Sequence, residues 1–248
     1  MISGYEHDPI VPYEESVKSK KEQVAGMFNG ISAKYDFLNR FLSVGMDVRW
    51  RKKALTELKS LDSGQLLDVA TGTADVALMA ARLYPQLHIH GVDISEGMLS
   101  VGHQKIARLH LESRVQLSVA DSEALPFSTD SFDAVTVAFG VRNFQNLEKG
   151  LSEIYRVLKP EGKLVVLEFS KPTNPIVKIP YQVYMKYLTP FFGGLFSKDK
   201  KAYAYLDASI RKFPEGKQFC NVLDKVGFRL SRQKKLSFGV CSVYFGVK

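Results

Sequence analysis

Leu66-Leu67-Asp68-Val69-Ala70-Thr71-Gly72-Thr73-Ala74-Asp75 reads as a buried strand, then a tight turn, then the first turn of a helix. Leu66, Leu67 and Val69 form a short apolar run, as a parallel strand covered on both faces requires. Thr71-Gly72-Thr73 breaks the run. From Ala74 the apolar positions Val76, Ala77, Met79, Ala80 and Leu83 take helical spacing, and Pro85 follows the stop. A strand, a glycine turn and a helix in succession point backbone N–H groups at whatever sits above the carboxyl end of the sheet.

A pyrophosphate usually calls for G-x-G-x-x-G, so that the backbone can close on both phosphates. Here the pattern is Ala70, Gly72, Ala74, with only Gly72 free of a Cβ. Asp68 would repel a phosphate and attract an ammonium group. Such a turn suits the amino-acid part of S-adenosylmethionine better than a dinucleotide. Read alone, the ten residues also fit an ordinary strand-to-helix turn of any α/β domain.

The chain has 248 residues, 45% hydrophobic and 24% charged, so one globular domain with a single sheet core is the simplest expectation. The net charge of +8 admits nucleic acid, anionic lipid or an acidic partner without deciding the fold. Cys220 and Cys241 lack C-x-x-C spacing, and the histidines do not cluster beyond His88 and His90, so no metal site is expected. Two free thiols fit a reducing cytoplasm. Met1 to Tyr13 is polar with Pro9 and Pro12, reads as a poorly ordered arm and does not look like a secretory leader. No apolar run is long enough to span a bilayer.

Glu14 to about Leu61 is helical in pattern, in pieces carrying Val17 to Ile31 and Tyr35 to Leu42, with a third helix from near Asp47. These helices precede the first strand and are expected to cover the carboxyl edge of the sheet. Further strands read as His88–Asp93, Val115–Val119, Phe132–Phe139 and Lys163–Phe169, separated by helices, one capped by Ser95 and one from Leu147 to Leu158. Pro160-Glu161-Gly162 stands between the last of these helices and the fifth strand. This alternation means a parallel sheet with helices on both faces. Residues 175–216 depart from it: they are rich in large apolar residues, interrupted by Pro180, Pro190 and Gly193-Gly194. A helix near Gly216–Val226 and two strands, Phe228–Lys235 and Phe238–Val247, close the chain as an antiparallel pair.

Parallel strands deliver their last residues to one edge, so residues far apart in sequence can meet one ligand. Gly72 and Thr73 offer backbone donors. Asp93, 21 residues after Gly72, is placed to accept hydrogen bonds from both ribose hydroxyls. Asp121 and Ser122 are placed to meet the amino edge of adenine. For Asp93 the rival role is helix capping, and for Asp121 a turn. After strand four, Phe139-Gly140-Val141-Arg142-Asn143 stands where amine methylation often has Asn/Asp-Pro-Pro-Tyr/Phe, which argues for a carbon or oxygen nucleophile. Arg142 pairing with a structural carboxylate is the alternative.

Tyr35-Asp36-Phe37-Leu38-Asn39 followed by Leu42-Ser43 and Arg49-Trp50 resembles the first signature of the ubiquinone/menaquinone biosynthesis C-methyltransferases, a demethylmenaquinone methyltransferase-like family. Arg156-Val157-Leu158-Lys159-Pro160 through Leu167-Glu168-Phe169-Ser170 resembles the second, and Ala124-Leu125-Pro126-Phe127 also fits. The match runs over roughly residues 24 to 247. Three positions depart: Asp47 where the family often has histidine, Ala74 where it often has glycine, and Glu161 where glycine usually follows the proline.

The resemblance implies an α/β fold: a Rossmann-like, seven-stranded class I S-adenosylmethionine-dependent methyltransferase sheet, mainly parallel with an antiparallel C-terminal strand, plus an N-terminal helical lid. The expected layout is a single methyltransferase domain over 1–248, with a lid (14–61), a cofactor-binding core (62–174), an apolar helical insertion (175–216) and a C-terminal helix and strand pair (217–248). Thr73, Asp93, Asp121, Ser122 and Ala138, with Gly72, are the expected S-adenosylmethionine contacts. Arg142 and Asn143 are the expected catalytic pair, and Tyr35, Asp36 and Asn39 the expected substrate contacts from the lid.

The implied reaction methylates a ring carbon of a prenylated quinol. Lowering a phenol pKa from about 10 by about three units takes roughly 4 kcal/mol. A cation about 4 Å away at an effective dielectric near 20 supplies about that much before desolvation. Arg142 is the candidate cation; a guanidinium hardly deprotonates, so water or a carboxylate takes the proton. Asn143 would orient the second ring oxygen.

The 175–216 segment would line a groove for the isoprenoid tail and touch the bilayer at the inner face of the membrane, aided by Lys198, Lys200, Lys201, Arg232, Lys234 and Lys235. An extra core layer and a solvated charged face are the alternatives, and the lid helices could equally serve a homodimer. Scattered basic residues and an aromatic block confined to one apolar segment point away from nucleic acid. Two other readings stay open at this stage, a small-molecule or RNA methyltransferase and a catalytically silent S-adenosylmethionine-binding protein. The sequence leaves naphthoquinol and benzoquinol both open, with Val69-Ala70-Thr71-Gly72-Thr73 leaning to the menaquinone pathway.

Overall fold

The computed structural model describes residues 5–61, 63–184 and 200–248. Seven strands form one sheet, β1 (Ser63–Val69), β2 (Gln86–Asp93), β3 (Val115–Val119), β4 (Phe132–Ala138), β5 (Leu158–Phe169), β6 (Arg229–Leu236) and β7 (Cys241–Val247), in the order 3-2-1-4-5-7-6. Strands β1 to β5 run parallel, with Leu67 opposite both His90 and Val135. Strand β7 is antiparallel to both β5 and β6. The chain order reverses at β1, so the carboxyl ends of β1, β2 and β4 frame a crevice there.

Alternation within the strands feeds two apolar layers. Leu66, Ile89, Ala134, Val165 and Phe245 face one way, onto α2 (Met46–Leu55), α3 (Asp75–Leu83) and α4 (Glu96–Arg108). Leu67, Val92, Val135, Val166 and Tyr244 face the other, onto α5 (Leu147–Val157) and α8 (Lys217–Val226). Both faces are covered, which is why these strands read as continuous apolar runs.

The helical cover is one long helix where the sequence suggested two: α1 runs unbroken from Lys20 to Leu42. It begins later than Glu14 because Ser19 and Glu22 make a capping box, each side chain bonding the other's backbone N–H. It ends where Val44 and Gly45 turn left-handed (φ 51° and 73°), and α2 starts one residue on.

The first residues also differ from expectation. His7 is fully buried edge-on against Phe213, Lys20 Nζ donates to its carbonyl at 3.0 Å, and the Tyr5 hydroxyl donates to Glu148 at 2.5 Å. Aromatic burial at Tyr5 and His7 offsets the entropy that a polar composition suggested would keep Tyr5–Tyr13 loose.

In the apolar segment, α6 (Pro175–Val183) is capped by Asn174 and contains Pro180, while α7 (Lys200–Lys212) leads back to the sheet. Met185, Tyr187, Leu188, Pro190 to Phe196 and Lys198 lie outside the described residues.

Strand β5 starts at Leu158 rather than at Lys163, and Pro160-Glu161-Gly162 forms a bulge within it, between the pairs Phe132–Leu158 and Ala134–Lys163. Glu161 takes φ 62°, the left-handed region where a Cβ is costly. Its side chain is largely exposed, and its ion pair with exposed Arg229 contributes little. Glu161→Gly is therefore expected to stabilise the protein by about 0.5–1 kcal/mol, read as a higher thermal midpoint; a lower midpoint would show that the bulge depends on this ion pair.

Candidate active site

Gly72 (φ 56°) ends the turn after β1, and its N–H donates to Asp93 Oδ2 at 2.8 Å. That donor is therefore engaged by the strand-end carboxylate of β2 rather than free for a ligand. Asp93 Oδ1 accepts from Ser95 N at 2.9 Å. Burial pushes the Asp93 carboxyl up, and the backbone donors of Ser95, Gly72 and Ile94 only partly counter it. Asp121, beyond β3, accepts from Glu123 N at 2.9 Å and from Lys21 Nζ at 2.6 Å. Burial acts to raise this carboxyl too, but Lys21 and the backbone bond outweigh it and hold it low.

Gly72, Asp93, Asp121, Ser122 and Ala138 line one cleft of about 70 Å³, roofed by Lys21, Val24, Phe28 and Tyr35 of α1. Thr73 does not line it. That side chain is buried, its hydroxyl donating to Asp36 Oδ1 at 2.5 Å and accepting from Lys105 Nζ at 3.0 Å.

Through Phe28, Tyr35 and Phe139 the cleft adjoins a second, apolar cavity of about 390 Å³. Its walls come from α1, α2, α6 and α7, including Leu38, Trp50, Tyr181, Leu206 and Ile210. Arg142 and Asn39 line it. Tyr35 stands between the two spaces; burial raises its phenol, against Asn39, Arg51 and Arg142, which lower it. Asp36 turns away from the cavity, pairing with Lys105 at 2.5 Å. Asn143 lines the smaller cleft, its Oδ1 accepting from Tyr205 at 2.9 Å.

Arg142 is buried, with Nη1 donating to Glu168 Oε1 at 2.7 Å and to the Phe139 carbonyl at 2.6 Å, while its Nε has no partner among the described residues. Burial raises the Glu168 carboxyl, and Arg142 pulls it back part of the way. The guanidinium is thus half of a buried pair, the arrangement named above as the alternative to a lone cation. Sequence reasoning missed Glu168 as a site residue, although a carboxylate ending the run Leu164-Val165-Val166-Leu167 was a signal. It also missed Lys21 and Tyr205, which reach the site only through tertiary packing.

Asp47, the departure from the family pattern, is buried on the cavity wall and takes Arg51 at 2.5 Å, Arg40 at 3.3 Å and the Ser43 hydroxyl at 2.7 Å. Arg51 and Lys105 also reach Asp75, at 3.2 and 2.7 Å. Ala74, the second departure, takes φ 64° at the helix start, where glycine is easier.

The family model described as the ubiE/COQ5 methyltransferase family matches residues 16–248. The chain belongs to this family. It is 43% identical over 245 residues to the demethylmenaquinone methyltransferase of Bacteroides fragilis, covering 99% of this chain and 100% of the relative. It is 45% identical over 230 residues to the ubiquinone/menaquinone biosynthesis C-methyltransferase UbiE of Geobacter sulfurreducens, covering 92% and 90%. A SAM-dependent methyltransferase of Aquifex aeolicus, 20% identical, superposes with a TM-score of 0.55 over 79% of this chain and 88% of that one. The last likeness shows the fold, a Rossmann-like methyltransferase sheet.

One carboxylate beneath the turn titrates within reach of experiment. Asp68 is buried, accepts from Thr136 at 2.7 Å and Thr71 at 2.6 Å, and is pushed by burial up to about 6. A raised carboxyl adds stability fully below its unfolded pKa of about 3.9, and that contribution is lost as pH climbs through about 6. Asp68→Asn is expected to match the parent in thermal midpoint near pH 4 and to exceed it at pH 7.5. Parallel curves across this window would mean that Asp68 keeps an ordinary pKa.

Proposed function

We propose that this ubiE/COQ5 family member is an S-adenosylmethionine-dependent C-methyltransferase that converts demethylmenaquinol to menaquinol. The observation that carries the reading is the junction itself: a cleft with acidic strand ends opens past Tyr35 and Phe139 into an apolar cavity with a buried guanidinium on its wall.

The chemistry of the donor set fits S-adenosylmethionine. Asp93 and Asp121 are acceptors, suited to ribose hydroxyls and an adenine amino group and unsuited to phosphates. Gly72 and Ala138 line the cleft without bulk, Ser122 adds a hydroxyl, and Thr73 supports the turn from behind. S-adenosylmethionine supplies a methyl group made electrophilic by its sulfonium. Phe28, Tyr35 and Phe139 exclude water at the junction and leave an aromatic lining that tolerates a cation.

The protein's own task is to make a ring carbon nucleophilic. Arg142 lines the cavity, where its guanidinium can donate to a ring oxygen as that oxygen loses its proton to water. Glu168 cancels much of the long-range field, so the stabilisation acts through a directed, charge-assisted hydrogen bond rather than a bare Coulomb term. Asn143 binds the same polar end of the ring from the cofactor side. Asn39 holds the Tyr35 hydroxyl, and the lined cavity takes the prenyl tail.

No helix among the described residues is long and apolar enough to cross a membrane. A prenylated substrate lies in the bilayer, so a cytoplasmic enzyme that touches the membrane's inner face is part of the proposal. Val44 lines the cavity; Phe238 follows Ser237 on the same wall; both are over 80% exposed. Ile176, Ile179 and Val183 expose an apolar edge of α6, just before Tyr184, whose hydroxyl donates to the Leu42 carbonyl. These residues make an apolar rim suited to lipid.

The test is labelled methyl donor with demethylmenaquinol and with the benzoquinol analogue, products resolved by mass. Methyl transfer to the naphthoquinol is expected, with Arg142→Lys lowering kcat by about 100-fold because a point-charge ammonium lacks the planar fork that holds Glu168 and the Phe139 carbonyl while still donating to the ring. Transfer only to the benzoquinol would replace the substrate, and full activity of Arg142→Lys would remove the assigned role of the guanidinium. Val44→Asp combined with Phe238→Asp is expected to slow turnover of quinol carried in anionic vesicles several-fold while sparing a short-tailed, detergent-dispersed quinol. Equal loss on both substrates would place the rim's role in folding instead.

A further inference from the structure

The Tyr205 hydroxyl is buried on α7 and, among the described residues, touches a single acceptor, Asn143 Oδ1, at 2.9 Å. A phenol carries one proton to donate, and leaving that proton unpaired in the interior would cost more than the bond contributes. Reversing the Asn143 amide would face its N–H groups toward the phenol and orphan the phenolic proton. The Asn143 orientation is therefore fixed from the side of the larger cavity, which Tyr205 lines. Burial also raises the Tyr205 pKa, with Glu168 adding to it and Arg142 opposing, so the phenol keeps its proton at neutral pH.

With Oδ1 held, the Asn143 Nδ2 group has no acceptor among the described residues, and the side chain lines the cleft beside Phe139 and Gly140. The backbone behind it is equally constrained: Asn143 N donates to the Gly140 carbonyl at 2.9 Å, and a Cβ at Gly140 would meet Ala70 Cβ at 2.4 Å.

We infer that Tyr205 is a positioning residue for methyl transfer: it locks the Asn143 amide so that donors, not an acceptor, face the reacting ring oxygen. The inference rests on the proposed reading of Asn143 as a contact to the quinol. It assigns a chemical sense to that contact, since an N–H donor favours an oxyanion and a carbonyl acceptor would favour the neutral hydroxyl. It also ties the polar end of the substrate to α7, whose Ala202, Tyr205, Leu206 and Ile210 line the cavity assigned to the tail.

The experiment is a double-mutant cycle of Tyr205→Phe and Asn143→Ala, with kcat, KM and the S-adenosylmethionine dissociation constant measured for each. Tyr205→Phe keeps the ring and is expected to lower kcat about tenfold with little change in KM or cofactor affinity. In the Asn143→Ala background the same change is expected to cost nothing further, because Tyr205 acts through that amide. Multiplicative losses, or an unchanged kcat in Tyr205→Phe alone, would overturn the inference while leaving the quinol reading intact. Asn143→Asp keeps the acceptor for Tyr205 and removes both donors, and is expected to be at least as slow as Asn143→Ala; near-normal turnover would show that the side chain accepts. Wild-type kcat in Asn143→Ala would instead remove Asn143 from the reaction and take the underlying assignment with it.

Discussion

Everything above the sheet depends on how α1 is fastened down, and it is fastened largely by polar pairs. Its buried apolar residues are few: Val24, Met27 and Leu38. The rest of the attachment is Lys21 to Asp121, Asp36 to Thr73 and Lys105, and Asn29, whose Oδ1 accepts from the Ser95 hydroxyl and Gly97 N at 2.7 and 2.9 Å. Arg40 extends it to Asp47 and Asp75. Partly exposed pairs of this kind contribute up to about 1 kcal/mol each and weaken in salt. Both cavities exist because this helix spans them. A roof held by exchangeable charges suits the proposed site, which would admit one water-soluble and one prenylated molecule.

The buried Arg142–Glu168 pair sets the electrical character of the larger cavity's wall. Removing either partner would strand the other in a low-dielectric wall, a larger loss than the pair itself contributes. Neutralisation has a chemical benefit as well. A naked cation beside a sulfonium would repel the methyl donor, whereas a paired guanidinium still offers directed N–H bonds to an oxygen.

The architecture was legible because it rests on local rules. Apolar runs marked the central strands, the Gly72 turn marked the crevice, and Asp93 and Asp121 fell at strand ends by alternation alone. The start of α1 was also local, since Ser19 and Glu22 spell a capping box; only the helical periodicity beginning at Glu14 hid it. The rest was illegible for one reason: it depends on which distant side chain completes a pair. Nothing near Gly72 says that its N–H is taken by Asp93, nothing near Thr73 says that it lies beneath Asp36, and nothing near Asn143 names Tyr205, 62 residues away. The bulge at Glu161 escaped because Pro-Glu-Gly is ordinary turn chemistry, and only pairing with β4 keeps it in register.

Phe28, Tyr35 and Phe139 belong to the walls of both chambers at once. A partition shared in this way makes the two guests thermodynamic neighbours. Whatever rearrangement one of them imposes on the common aromatic rings alters the space left for the other, and by reciprocity the influence runs with equal strength in both directions. The affinities of the two chambers for their occupants are therefore linked through these three rings.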